Sequence, residues 1–460
     1  MRFLFTTLQY DETDFYGRVG RSLEERGHET AHLSFSRVSA AALRERGMRT
    51  YVLPDLMREV GPELDVAAEI ERIESQYDTP TARDIWRTDI ACQGRSEAWC
   101  AEWTVRHFRA FESLLDEVQP DIVVPEVGSE TMRTVAHLVC VERGITVLFL
   151  MYTIFPNPLR LYANTMHAAI VAPEDVRPLD EAERKELEEF IERFTSRRKP
   201  IRQYRSVRLD PGRLPTTFMH IRDKLGADRD NPYLRLAAWV KSDARELARS
   251  IGAKALYEEP DPNRKFVYFP LHVTDDYKIK RLIPHCVDQS ALIEQVADAL
   301  PAGYDVIIKE HPMSIGRNSF SMLRRLSRRE NIRLVEPYTS SHDLVERSEA
   351  IIVISSTVGL EALMYEKPVL TMGQPFYSGY GVTVDVDSFR ELGARVHEVL
   401  DFRPDGERIR QFLHAAMRRC YPGAPVLVDP SDENAARVAD SLDRAAREGV
   451  PESPPLALAG

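Results

Sequence analysis

Three short stretches carry side chains suited to holding an anion. Lys309, Glu310, His311 and Pro312 follow the aliphatic run 306–308. Lys309 supplies a fixed positive charge, and His311 titrates near neutral pH, so the pair can neutralise a phosphate as a nucleotide departs. The second stretch, ISSTVGLE over 354–361, sets Ser355, Ser356 and Thr357 at the start of a helical pattern. Small hydroxyls there cap N–H groups and donate to an anion, Gly359 allows close approach, and Glu361 can accept from a pair of sugar hydroxyls. The third is Gly373, Gln374 and Pro375, after the strand pattern KPVLTM. Singly, each reads as a helix cap, a dipole complement or a structural histidine. All three fall at strand ends, and their conjunction favours a nucleotide mono- or diphosphate site.

A hydroxyl acceptor for a transferred group needs a proton acceptor within hydrogen-bond reach. Glu126 and Glu130, in PEVGSE at the mouth of a strand, are the first candidates, with capping or ion pairing as their structural reading. Asp11 and Glu12, in the loop after the first strand, are the reserve. Asp275 and Asp276 are adjacent but form no D-x-D pair, so no metal site is expected, and no cofactor is called for. P-loop and G-x-G-x-x-G fingerprints are missing, which argues against a P-loop NTPase or a nicotinamide enzyme.

The elements that must position these residues read as two similar halves. RFLFTTL, a helix ending at Gly27, and TAHLSF make a β-α-β opening, repeated by PDIVVPE, the helix 131–144 and ITVLFLM. A charged helical stretch, 56–118, carries Trp86, Trp99 and Trp103. From Lys265 five apolar strand patterns alternate with helices: KFVYFPL, YDVIIKE, IRLVE, AIIVIS and KPVLTMG. The expected fold class is α/β, two Rossmann-like domains with a helical insertion. The boundaries read as 1–175, an insertion at 176–262, the second domain at 263–392, helices at 393–450 and a flexible tail at 451–460.

Composition fits that picture. A chain of 460 residues with 43% hydrophobic and 29% charged residues suits a globular protein of two or three domains. The net charge of −11 argues against a nucleic-acid partner. Five scattered cysteines signal neither disulfides nor zinc, and a reducing cytoplasm is expected. The opening residues turn acidic after ten positions, so no signal peptide is expected, and the run 145–155 is short of the roughly 20 residues that span a bilayer. The segment 196–225, crowded with Arg and Lys, reads as a solvated linker or as a face for an anionic membrane surface.

KEHP over 309–312, SSTVGLEAL over 355–363 and KPVLTMG followed by QPFY resemble the bacterial capsular polysaccharide biosynthesis proteins, GT-B glycosyltransferases that include the capsule Kdo transferases. FPLHVTDD and VDQ, upstream, are similar to that group's strand and loop. The resemblance covers about 265–380 well and the N-terminal half in architecture alone. It implies two domains facing across a cleft, a nucleotide-sugar donor in the C-terminal one and a polysaccharide or lipid-linked acceptor in the N-terminal one. It assigns donor contacts to His311, Ser355, Ser356 and Thr357. Metal-independent transfer of a sugar, such as a Kdo-like sugar from a CMP donor, is the leading expectation, for a cytoplasmic enzyme with peripheral membrane contact. A UDP-sugar 2-epimerase-like enzyme and a non-catalytic assembly partner are the alternatives. YTIFPNPLRLY loosely resembles the family's cleft loop without its acidic residues, and HVTDDY departs from the group's glutamine- or glutamate-bearing loops.

Overall fold

The structure is a computed structural model and describes residues 1–8, 10–166, 169–196, 214–273 and 276–449. Gln9, residues 197–213 of the basic segment, Asp275 and the tail 451–460 lie outside the described residues.

Two six-stranded sheets carry the chain. The first, β1 (Arg2–Thr7), β2 (Glu29–Ser34), β3 (Thr50–Val52), β4 (Ile122–Pro125), β5 (Thr146–Tyr152) and β6 (Leu159–Ala163), has the order β3-β2-β1-β4-β5-β6. The second, β7 (Lys265–Pro270), β8 (Tyr304–Lys309), β9 (Ile332–Val335), β10 (Ala350–Val353), β11 (Val369–Thr371) and β12 (Val384–Asp385), runs β12-β11-β10-β7-β8-β9. Every pairing is parallel except β5 with β6. The central strands are buried along nearly their whole length, which is why 306–308 and 350–353 read as unbroken aliphatic runs: helices cover both faces of a parallel sheet. The expected α/β class with two Rossmann-like sheets holds. Three strands escaped the sequence. β3 and β12 are three and two residues long, and β6, inside the presumed loop YTIFPNPLRLY, turns back antiparallel on β5 from Leu148↔Ala163 to Tyr152↔Leu159.

Packing divides the chain into two units whose boundaries differ from those expected. One comprises Met1–Met166 with Gly212–Leu236 and Cys420–Glu452; the other is built on Ala237–Arg419. The block 176–262 is therefore shared. Its helix Leu214–Leu225 is held to the first unit, where the Tyr10 hydroxyl donates to Asp223 at 2.8 Å and the Tyr10 and His220 rings lie 4.6 Å apart. Its helix Glu181–Thr195 belongs to the second, tied by Arg410 to Glu188 at 2.6 Å and by Arg184 to Glu407. The final helices are split as well. Asp432–Glu448 lies on the first unit's helix Tyr10–Glu24, burying Val438 and Leu442 against Phe3, Phe5 and Phe15. Arg18 bridges to Asp432, and the His28 ring to Asp443 at 2.7 Å, along the seam.

Because Leu442 is fully buried in that core, Leu442→Ala should cost about 2–5 kcal/mol. Urea unfolding followed by circular dichroism measures it; no loss would mean that the last helix is dispensable to the first unit.

Candidate functional site

The parallel registers of the second sheet decide where the three motifs go. Pro270 pairs with Lys309, Tyr268 with Ile351 and Val353 with Thr371. Continued two to four residues past the strand ends, the same registers set His311 opposite His272, His272 opposite Ser355, and Ser355 opposite Gly373. Three hydrogen bonds link these strand-end segments to one another: Leu271 N–H donates to the Lys309 carbonyl at 2.9 Å, Ser355 N–H to His272 Nε2 at 3.0 Å, and Gly373 N–H to the Ile354 carbonyl at 2.8 Å. Four adjacent strands thus end in one row, about 15 Å long at the usual interstrand spacing. It lies beyond the carboxyl ends of the strands, where open α/β sheets bind ligands.

His311 is half-buried, and its Nδ1 accepts the Met313 N–H at 3.2 Å, fixing the Pro312 turn. Burial, aided by nearby Lys309, lowers its pKa to about 4. Ser356 Oγ caps the helix Thr357–Leu363 through the Val358 N–H at 3.2 Å, and Thr357 donates to Glu361 at 3.4 Å. Burial raises Glu361 to about 7 despite the opposing pull of Lys309. Ser355, Ser356, Thr357 and Gln374 are partly exposed. Gln374 has φ of 47°, a left-handed conformation uncommon for a side chain of its size, three residues beyond β11.

Two expected roles change. Lys309 points inward: its ammonium donates to the Thr339 carbonyl at 2.9 Å and to Ser341 Oγ, and burial lowers its pKa to about 8. It pins the loop after β9 and balances Glu361, so its charge acts on the row from behind. Gly359 is needed for packing, since a Cβ there would meet the Tyr377 hydroxyl at 2.2 Å, and that hydroxyl donates to the Ser356 carbonyl. Glu310 is fully buried, receiving Asn318 at 2.8 Å and Tyr257 at 3.2 Å.

The first unit's carboxylates gather around one cation. Arg133 pairs with Glu12 at 2.5 Å and lies 3.3 Å from Glu130, and its guanidinium also donates to the Val127 carbonyl. Gly128 makes the room, because a Cβ there would strike both Arg133 and Glu130 at 2.2 Å. Glu126 is 2% exposed; Oε2 accepts from the Tyr16 hydroxyl at 2.6 Å, and Oε1 has no hydrogen-bond partner among the described residues. Burial, reinforced by Glu12 and opposed by Arg133, raises Glu126 to about 7; burial raises Glu130 too. Asp11 stands apart, exposed in the first turn of Tyr10–Glu24. Beyond the ends of β2 and β3 opens a cavity of about 480 Å³, walled by Phe35, Met57, Trp99 and Trp103 with Arg58 and Arg106. Among the described residues no three His, Cys, Asp or Glu side chains cluster as metal ligands, and no helix is long and apolar enough to cross a membrane.

Sequence reasoning missed His272, Arg133 and Tyr16. For His272 a signal was there: it stands two residues past β7, as His311 stands two past β8.

Fold and row together define an α/β protein of two Rossmann-like sheets, the second with a polar rim at its strand ends. Residues 220–398 match the family described as capsule polysaccharide biosynthesis protein, which bears out the resemblance drawn from the motifs. Among curated relatives, Protein FixF of Sinorhizobium fredii is 24% identical over 250 residues, 52% of this chain and 60% of that protein. Capsule polysaccharide export protein KpsS of Escherichia coli is 30% identical over 115 residues, 23% of this chain and 27% of that one. The chain spans 60% or less of the length of these relatives. Among solved structures, the Thermosulfurimonas dismutans KpsC β-Kdo 2,4-transferase aligns with 64% of this chain and 79% of its own at 16% identity and a TM-score of 0.38.

Two expectations follow from the geometry. Gly359→Ala should destabilise the protein by about 1–3 kcal/mol through collision with Tyr377, read as a lower melting temperature. For Glu126, a folded pKa near 7 above the ordinary carboxylate value means that the folded state holds the extra proton, so stability falls as pH rises from about 4.5 and the full loss is reached above 7. Glu126→Gln should flatten that slope in melting curves taken from pH 5 to 8; an unchanged slope would place the proton elsewhere.

Proposed function

We propose that the protein is a glycosyltransferase that moves a sugar from a nucleotide-sugar donor to a surface-polysaccharide or lipid-linked acceptor. The observation that carries this reading is the row His311–His272–Ser355–Gly373 at four strand ends. It puts imidazole and hydroxyl groups along one edge with no carboxylate in the row itself. Such an edge suits a ligand that brings its own negative charge. In this reading the donor phosphate lies along the row, met by His311 and by the hydroxyls of Ser355, Ser356 and Thr357, while Glu361 accepts from a hydroxyl pair of the ribose or sugar. Gln374 and Gly373 close the end of the row. The family match over 220–398 supports the assignment to glycan assembly.

The carboxylate cluster of the first unit supplies the base. Glu126, held near 7 with Oε1 unbonded, is poised to take the proton of an acceptor hydroxyl. The hydroxyl oxygen then bonds to the anomeric carbon as the bond from that carbon to the phosphate oxygen breaks, the electron pair leaving with the phosphate. His311 and the hydroxyls of Ser355, Ser356 and Thr357 stabilise the leaving charge without a metal. The cavity walled by indoles and arginines suits an acceptor, and the basic segment 196–225 suits contact with an anionic membrane surface from the cytoplasmic side.

A donor panel of CMP, UDP and GDP sugars, incubated with and without glycan acceptors, tests the reading. Transfer that needs acceptor and persists in EDTA is expected; epimerised donor without acceptor would overturn it. His311→Ala and Ser356→Ala should each weaken nucleotide binding about tenfold or more in a folded protein, whereas Glu126→Gln should abolish transfer and leave donor affinity in place. An active Glu126→Gln enzyme would move the base to Glu12, Glu130 or Asp11.

A further inference from the structure

The centre of the row is occupied by a residue to which no role has been assigned. His272 is 7% exposed, hydrogen-bonded to Ser355 and with His311 among its titratable neighbours. Its Nε2 accepts the Ser355 N–H at 3.0 Å, so the ring proton lies on Nδ1. Its backbone is clamped on both sides by one side chain: His272 N–H donates to Gln289 Oε1 at 2.9 Å, and Gln289 Nε2 reaches the His272 carbonyl at 3.5 Å. Gln289 is itself buried and opens the helix Gln289–Ala299. The imidazole therefore has little freedom. Burial lowers its pKa to about 4, with Asp276, Lys278 and His311 as the charged and titratable neighbours, so Nε2 keeps its lone pair at neutral pH.

Ser355 is the first residue of the turn that presents Ser356 and Thr357, and this gives the bond to His272 its importance. An unanchored N–H in that turn would be free to swing with it. Anchoring it to the neighbouring strand fixes the turn relative to His311. We infer that His272 is a positioning residue for the nucleotide phosphate, locking the Ser355–Thr357 hydroxyls in register with His311. This inference rests on the reading of the row as a phosphate site.

The test compares His272→Leu, which removes the acceptor, with His272→Gln, whose amide oxygen can reach the same N–H, each titrated with CMP, UDP and GDP by calorimetry. His272→Leu should weaken binding of the preferred nucleotide about tenfold or more, and His272→Gln should restore most of it. In turnover the donor KM should rise in the Leu variant while the acceptor KM stays put, a split that loss of folded protein would not produce. Wild-type affinity in His272→Leu, or no recovery in His272→Gln, overturns the role of His272 while His311→Ala still tests the phosphate reading. If the wild-type protein binds none of the nucleotides, the phosphate reading falls, and this inference with it.

Discussion

The register of four parallel strands is the constraint on which the site depends. Side chains alternate faces with a period of two, so a slip of one residue in β8 would turn Val306 and Ile308 from one side of the sheet to the other. Both are fully buried in the second unit's core with Val267, Phe269 and Ile352. The register set within that core brings the segments carrying His311, His272, Ser355 and Gly373 to one edge of the sheet. The polar residues need no contacts of their own to find each other; they inherit their alignment from the strands beneath.

The two units handle charge in opposite ways. Around Arg133 three carboxylates compete for one guanidinium, so the cluster is acidic, and the excess is relieved by raising Glu126 and Glu130 toward protonation. On the rim of the second sheet the imidazoles of His272 and His311 are held neutral, and Lys309 is turned inward onto Thr339 and Ser341 with Glu361 as an anionic neighbour.

Much of the second sheet was legible because each strand is a short, two-sided apolar run bounded by turn residues; KFVYFP, YDVIIK and AIIV could hardly be anything else. Strand ends are also where chemistry is visible in a sequence, since Lys, His and Ser interrupt an apolar run only where the chain leaves the core. What stayed hidden were relations between distant residues. That Lys309 turns inward depends on the loop carrying Thr339 and Ser341, and that Gly359 serves packing depends on Tyr377. No spacing encodes either. The division into units was obscured for the same reason: Asp432–Glu448 is an ordinary amphipathic helix, and its partner lies more than 400 residues away in Tyr10–Glu24.

Some breaks of local rules fall at strand exits and others, such as the left-handed Gln119 and Glu366, just after helices. Tyr10 and Gln374 adopt left-handed backbones, at φ of 42° and 47°, each three residues past the carboxyl end of a strand, β1 and β11. Glu126 buries an oxygen without a partner immediately after β4. Each of these features costs free energy. By contrast His32, whose two ring nitrogens also lack partners, lies within β2, stacked on Phe5 and crowded by Gly20. Its burial lowers its pKa to about 4, and a neutral ring can be stored in the core as an aromatic filler. Tyr10, Gln374 and Glu126 all lie at strand exits, and the buried apolar cores of the two sheets offset their cost.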